Sequence, residues 1–181
     1  MSRPAPKLLL GIGNLLLGDD GVGVVALRRM AALRWPPDVE LFEGGTAGMA
    51  LAPTLEQREL VVVIDALAAG DPPGTIRRLD PEKLRTVSTA KLSVHDLHLL
   101  DALAETQLVG RAPRRVVVFG IQVADTSLGI GLSPAVERAV GRVIALARRE
   151  LGFGAEPAGM QSVGHPVAQG APGPREIISC N

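Results

Sequence analysis

The sequence predicts an α/β fold, a sheet covered by helices on both faces. Three observations carry that prediction. Short apolar runs at Leu8–Ile12, Leu60–Ile64 and Val116–Ile121 stop abruptly at glycine or a polar residue, as strands buried on both faces do. Between them lie stretches whose apolar residues recur at helical spacing. Strand-like and helix-like segments then alternate along the chain, which is the pattern of a helix-covered sheet.

The elements follow in order. Leu8–Ile12 is the first strand. After the turn, Asp19 or Asp20 can cap a helix running to about Leu33, with Val22, Val25, Ala26 and Met30 on one side and Arg28 and Arg29 in its later turns. Pro36-Pro37 breaks it. Val39–Phe42 reads as a second strand, and the loop from Glu43 to Gly48 leads into a helix over Met49–Gln57. Leu60–Ile64 is the most β-branched run and reads as a central strand ending at Asp65. Asp71-Pro72-Pro73-Gly74 is a turn, and Thr75–Leu79, with its two arginines, suits an edge strand. Lys83–Lys91 reads as loop, and Ser93 can cap a helix from Val94 to about Gln107. Val116–Ile121 is a further buried strand. Ser133-Pro134 is a strong helix start, a hydroxyl cap with proline behind it. That helix reaches Leu151 with Val136, Val140, Val143 and Ala147 on one stripe. From Gly152 to Asn181, ten of thirty residues are Gly or Pro and apolar periodicity ends, so residues 1–151 are expected to form one domain and 152–181 a flexible C-terminal tail.

Composition narrows the function. The chain has 181 residues, 46% hydrophobic and 21% charged, long enough to bury a core without disulfide or structural metal. Nineteen basic residues balance nineteen acidic ones, so no global basic field gathers nucleic acid or acidic lipid. The four aromatics, Trp35, Phe42, Phe119 and Phe153, provide no base-stacking platform. Cys180 is the only cysteine, which excludes an intrachain disulfide and a cysteine-based zinc site. The apolar stretch Leu8–Leu17 is too short for a membrane span and is broken by Gly11, Gly13 and Asn14. Asp19-Asp20 stand where a signal peptide would carry its cleavage site. A cytoplasmic monomer is the expectation, with no nucleic-acid or membrane partner.

Three places can carry chemistry. Gly11 and Gly13 invite comparison with a dinucleotide fingerprint, but Leu16 stands where the third glycine belongs, and Asp19-Asp20 would face a pyrophosphate. Adjacent aspartates at a helix start suit the dipole. One acid suffices as a cap, so the second is available to coordinate. Asp65 follows an apolar strand at the edge where open α/β sheets place their sites; it could instead cap the following turn. His95 begins a helix and His98 lies nearly one turn on, without the His-Glu-x-x-His pattern of zinc peptidases. A lone histidine is more often a core or cap residue than a ligand, and His165 lies in the tail. Two carboxylates and one imidazole form an oxygen/nitrogen set suited to zinc or nickel, too sparse for a closed structural site. A serine triad lacks its Gly-x-Ser-x-Gly elbow.

These motifs resemble a known family. GIGNLLLGDDGVG (11–23), EGGTAGM (43–49), VVVIDA (61–66), KLSVHDL (91–97) and FGIQVADTSLGIGLSPAV (119–136) stand in the order and spacing of the nickel-iron hydrogenase maturation endopeptidases. The resemblance covers residues 7 to about 150. It implies a three-layer, phosphorylase/hydrolase-like sandwich with a mostly parallel five-stranded sheet and one antiparallel strand. It implies an enzyme that removes a C-terminal peptide from the precursor of the hydrogenase large subunit once nickel is in place. It assigns metal contact and catalysis to Asp20, Asp65 and His95. The first of these is Glu in some members, and Glu43 is Asp in many. Nickel would arrive with the precursor, because three ligands alone hold a metal weakly. A metal could polarise the scissile carbonyl or activate water, or an Asp20 or Asp65 carboxylate could act as general base. Glu43, Gly44, Gly45 and Thr46 are candidates for receiving the substrate's C-terminal segment; the same glycines equally suit a tight strand-to-helix turn. A non-catalytic chaperone that docks the precursor and checks its nickel is the alternative, and the intact three-residue set favours the enzyme.

Overall fold

The structure is a computed structural model that describes residues 4–81, 94–153 and 168–169, with the backbone alone for 94–98 and 168–169. Its strands are β1 (Lys7–Ile12), β2 (Val39–Gly45), β3 (Leu60–Leu67), β4 (Ile76–Leu79), β5 (Val116–Gln122) and the two-residue β6 (Ala168–Gln169). Its helices are α1 (Val22–Ala31), α2 (Ala52–Leu55), α3 (Val94–Leu108) and α4 (Pro134–Glu150). The strands form one sheet in the order β4-β5-β3-β1-β2-β6. β4 alone runs antiparallel, on β5. The five strands of the α/β unit are thus mixed and mostly parallel, as expected.

Alternation along the strands sorts the core into two halves. Leu9, Val62, Ile64 and Phe119 face α1 and α4, whose buried stripe includes Met30, Val136, Val140 and Val143. Leu8, Leu10, Val61 and Val63 face α2 and α3, meeting Leu55, Leu99 and Leu103. Helices therefore cover both faces and the unit has three layers. The start of α4 matches its sequence signal: Ser133 is the N-cap, its Oγ accepts from the Val136 N–H, and proline follows.

Three local expectations change. β3 continues two residues past Asp65, because β5 keeps pairing with it through Ala66↔Ile121 and Leu67↔Gln122. The predicted helix over Met49–Gln57 shrinks to a 3-10 turn at Gly48–Leu51 followed by the four residues of α2. Glu56 leaves helical geometry at ψ 139°, and the Gln57 N–H instead donates to the Arg111 carbonyl at 2.8 Å. Neither Asp19 nor Asp20 caps α1, whose N-cap is Gly21 without a side-chain bond. The expected loop at Lys83–Lys91 lies outside the described residues. So does most of the expected tail, apart from β6 on Phe42 and Glu43 of β2. Phe153, just past the expected domain boundary, packs edge-on against Trp35 with ring centroids 5.8 Å apart.

Candidate active site

β1 lies between β2 and β3. The chain passes from β1 to β2 on one side and then returns to β3 on the other. That reversal opens a crevice at the carboxyl ends of β1 and β3, where sheets of this kind bind ligands. Glycine makes the approach of α1 to this crevice possible. A Cβ on Gly23 would stand 2.1 Å from the Ile64 carbonyl oxygen and 2.3 Å from that of Ile12. The first turn of α1 is therefore wedged between the two strand ends. Asp20 lies three residues before Gly23, and Asp65 directly follows Ile64, so both carboxylates belong to segments meeting at one point of the sheet edge.

The connection from β1 to α1 is built to hold Asp20. Gly13 adopts φ 132°, and a Cβ there would lie 1.9 Å from the Asp20 carbonyl oxygen. The Asn14 N–H donates to Asp20 Oδ2 at 2.8 Å, and Asn14 Oδ1 accepts from the Leu16 N–H at 3.0 Å. Asp20 is buried, with 6% of its surface exposed. Asp65 is 1% exposed, and its Oδ1 accepts the Ala66 N–H at 2.8 Å. By alternation it shares a face with Val61, Val63 and Leu67, the side covered by α2 and α3. Past the last β1 partner of β3, at Ile64, only β5 flanks it in register.

His95 is the second residue of α3. The C-terminal end of that helix lies at the amino edge of the sheet: the Arg111 N–H bonds back to the Thr106 carbonyl, and the Arg111 carbonyl takes the Gln57 N–H just before β3. A helix of 15 residues is about 22 Å long, enough to bring its start back to the carboxyl edge on the face that Asp65 shares. The position of His95 is one turn before the buried Leu99; its side chain lies outside the described residues. Among the described residues no group of three or more His, Cys, Asp or Glu side chains is arranged to hold a metal ion. The donors of the candidate set, two carboxylates and an imidazole, suit a borderline divalent ion such as nickel.

The Gly-rich loop borders the same crevice. The register of β1 on β2 slips between Gly11↔Glu43 and Ile12↔Gly45, and the Gly45 carbonyl accepts the Gly13 N–H at 3.1 Å. Gly45 has φ 49° and nothing within 4 Å of its missing Cβ. A groove of about 700 Å³ runs along this loop, lined by Arg28, Glu43, Gly45, Thr46, Ala50 and Thr54 among others. The Glu43 carboxylate is gripped by Arg28 through two bonds of 2.9 and 2.7 Å, and this pairing raises the Arg28 pKa.

Sequence patterns do not show what two neighbouring polar residues bind. Asp19 is fully buried and binds the loop between β5 and α4. Gln122 ends β5, where its Oε1 accepts the N–H groups of Ala69 and Asp71 at 2.8 and 3.2 Å and holds the segment after β3. The adjacent acids were a signal for the first, since one of them exceeds the need of a cap; Gln122 had none.

Residues 24–150 match the hydrogenase maturation protease family. The chain belongs to that family. Among the relatives of this maturation protease is the hydrogenase expression/formation protein HupD of Rhodobacter capsulatus, 38% identical over 150 residues that make up 81% of this chain and 71% of HupD. Hydrogenase 2 maturation protease of Escherichia coli (strain K12) is 35% identical over 135 residues, 74% of this chain and 82% of its own. The structure of hydrogenase maturating endopeptidase HybD from E. coli aligns with a TM-score of 0.75 at 32% identity, covering 84% of this chain and 97% of that one. The [NiFe] hydrogenase maturation protease HybD from Thermococcus kodakarensis aligns with a TM-score of 0.67 at 28% identity, covering 80% and 97%. The protein is therefore an endopeptidase of hydrogenase maturation, which sets aside the non-catalytic chaperone. Among the described residues no helix is long and apolar enough to cross a membrane.

Proposed function

We propose that this maturation protease removes a C-terminal peptide from the nickel-loaded precursor of a nickel-iron hydrogenase large subunit, using Asp20, Asp65 and His95. What supports the proposal is that the segments carrying Asp20 and Asp65 adjoin at the switch point between β1 and β3, where Gly23 packs on the Ile64 carbonyl, with α3 running back toward that edge. Nickel is cargo of the substrate in this reading. Two carboxylates and an imidazole leave coordination positions open, so a metal already fixed in the precursor is held jointly by the two proteins. Cleavage then waits for metal insertion.

Hydrolysis adds water across the scissile peptide bond. A base takes one proton from the attacking water, and the departing amine gains one. Asp20 and Asp65 are the carboxylates available at the crevice for that exchange. Glu43, Gly44, Gly45 and Thr46 border the groove beside them, and we assign this groove to the extended C-terminal segment of the precursor. The test is mass spectrometry of nickel-loaded precursor mixed with purified protein. Loss of a C-terminal peptide is expected with the wild type and not with Asp20→Asn or Asp65→Asn. Wild-type rates in both variants would overturn the site.

A further inference from the structure

Three main-chain donors engage the Asp19 carboxylate beside the site, and the reaction as proposed does not use it. Its side chain is fully buried. Oδ2 accepts the N–H groups of Ala124 and Asp125 at 2.8 and 3.1 Å, and Oδ1 accepts that of Ser133 at 2.6 Å. All three donors are main-chain groups of the loop between β5 and α4. The backbone reinforces the junction: Gly18 N–H donates to the Gly129 carbonyl at 2.9 Å, Asp19 N–H to the Asp125 carbonyl at 3.0 Å, and Gly129 N–H to the Leu16 carbonyl at 2.8 Å. Asp19 and Asp20 share one 3-10 turn, Gly18–Gly21. A four-residue turn has little rigidity of its own. Its orientation is fixed from outside, and the Asp19 carboxylate supplies three of the bonds that fix it.

We infer that Asp19 is a positioning residue: it moors the turn that carries Asp20 to the β5–α4 loop, so that the Asp20 carboxylate faces the crevice in one orientation. The inference rests on Asp20 acting in cleavage. A carboxylate is required because every partner is a donor. An amide in its place sets an NH₂ group against a main-chain N–H, and at full burial that donor has no water to turn to. The turn then loses its mooring while the sheet beneath it keeps its own bonds.

Asp19→Asn is the direct test, with rates expressed per folded molecule. The expected result is a kcat on nickel-loaded precursor lower by at least about tenfold with KM nearly unchanged, the pattern of a lost transition-state interaction. Hydrogen exchange gives a readout that general destabilisation does not mimic. The Asn14 amide, bonded to Asp20 Oδ2, should exchange faster in Asp19→Asn, while the Val62 amide of β3 keeps its protection. Ser133→Pro is the second variant. Ser133 has φ −60° and ψ 153°, within proline's range, but the ring methylene takes the place of the hydrogen that meets Asp19 Oδ1 at an N···O distance of 2.6 Å, so the change removes one donor and drives the carboxylate from its seat; Ser133→Ala controls for the lost hydroxyl. A fall in kcat at least as large as in Asp19→Asn is expected there. A kcat within about twofold of wild type in Asp19→Asn, beside an inactive Asp20→Asn, overturns the positioning role alone. Equal acceleration of exchange at Asn14 and Val62 also overturns it. Normal cleavage by Asp20→Asn overturns the site reading instead.

Discussion

Gly13→Ala should be among the most destabilising single-methyl changes in this protein. Two separate costs meet at that position. The residue has φ 132°, a region open to glycine and strained for alanine by about 1–3 kcal/mol. The new Cβ would also lie 1.9 Å from the Asp20 carbonyl oxygen and 3.0 Å from its carbon. Those are main-chain atoms, so no side-chain rotation relieves the overlap, and moving them costs a further 1–3 kcal/mol or so. The sum is about 2–6 kcal/mol, a large part of the stability of a typical domain. Gly45→Ala provides the internal control. Gly45 also has a positive φ, 49°, yet nothing lies within 4 Å of its Cβ position, leaving only backbone strain of about 1–2 kcal/mol. Urea unfolding followed by circular dichroism and by the fluorescence of Trp35, the only tryptophan, measures both. Equal losses for the two variants would refute the argument that Asp20 is pressed against the end of β1.

Two further outcomes follow from contacts away from the crevice. Glu150 accepts two bonds from Arg78, at 2.9 and 3.0 Å, and one from Arg115, and these hold its carboxyl below the ordinary glutamate range. Because the folded pKa is the lower one, the pairing stabilises fully above the ordinary range and fades as pH falls through the depressed value. Both arginines are half exposed, so Glu150→Gln should cost only about 1 kcal/mol near neutral pH. Urea midpoints of variant and wild type should draw together in acid; a gap independent of pH would contradict the assignment. A chain ending at Leu151 should be about 2 kcal/mol less stable than one ending at Phe153. The shorter chain gives up the contact of Phe153 with Trp35 and the Gly152 and Phe153 N–H bonds to α4 carbonyls. Equal melting temperatures would refute that boundary.

The parts of this fold that were readable from sequence are those whose determinants are local. Val61–Ile64 is β-branched and buried throughout, and Ser133-Pro134 states a helix start in two residues. Edge strand β4 showed itself by its arginines, Arg77 and Arg78, which pair with Asp71 and Glu150. What escaped is set by distant partners. Asp65 reads as the end of a strand, but β5 continues the ladder past it. Gln57 has a positive φ of 57° because its N–H is claimed by Arg111, far along the chain, which stops the helix that residue spacing suggested. Asp19 looks like a cap, yet its donors Ala124, Asp125 and Ser133 lie more than 100 residues away. For the site, Asp20 and Asp65 stand out as polar residues beside apolar strands. The adjacency of the two segments that carry them depends on strand order and on Gly23, which spacing alone does not reveal.

The central claim is that precursor nickel, engaged by Asp20, Asp65 and His95, licenses cleavage. The most direct measurement mixes the protein with the same hydrogenase large-subunit precursor in nickel-loaded and nickel-free form and follows loss of the C-terminal peptide by mass spectrometry. Wild type should cleave the loaded form and leave the nickel-free form intact, and His95→Ala should cleave neither while retaining the wild-type melting curve. Equal cleavage of both forms by the wild type would contradict it.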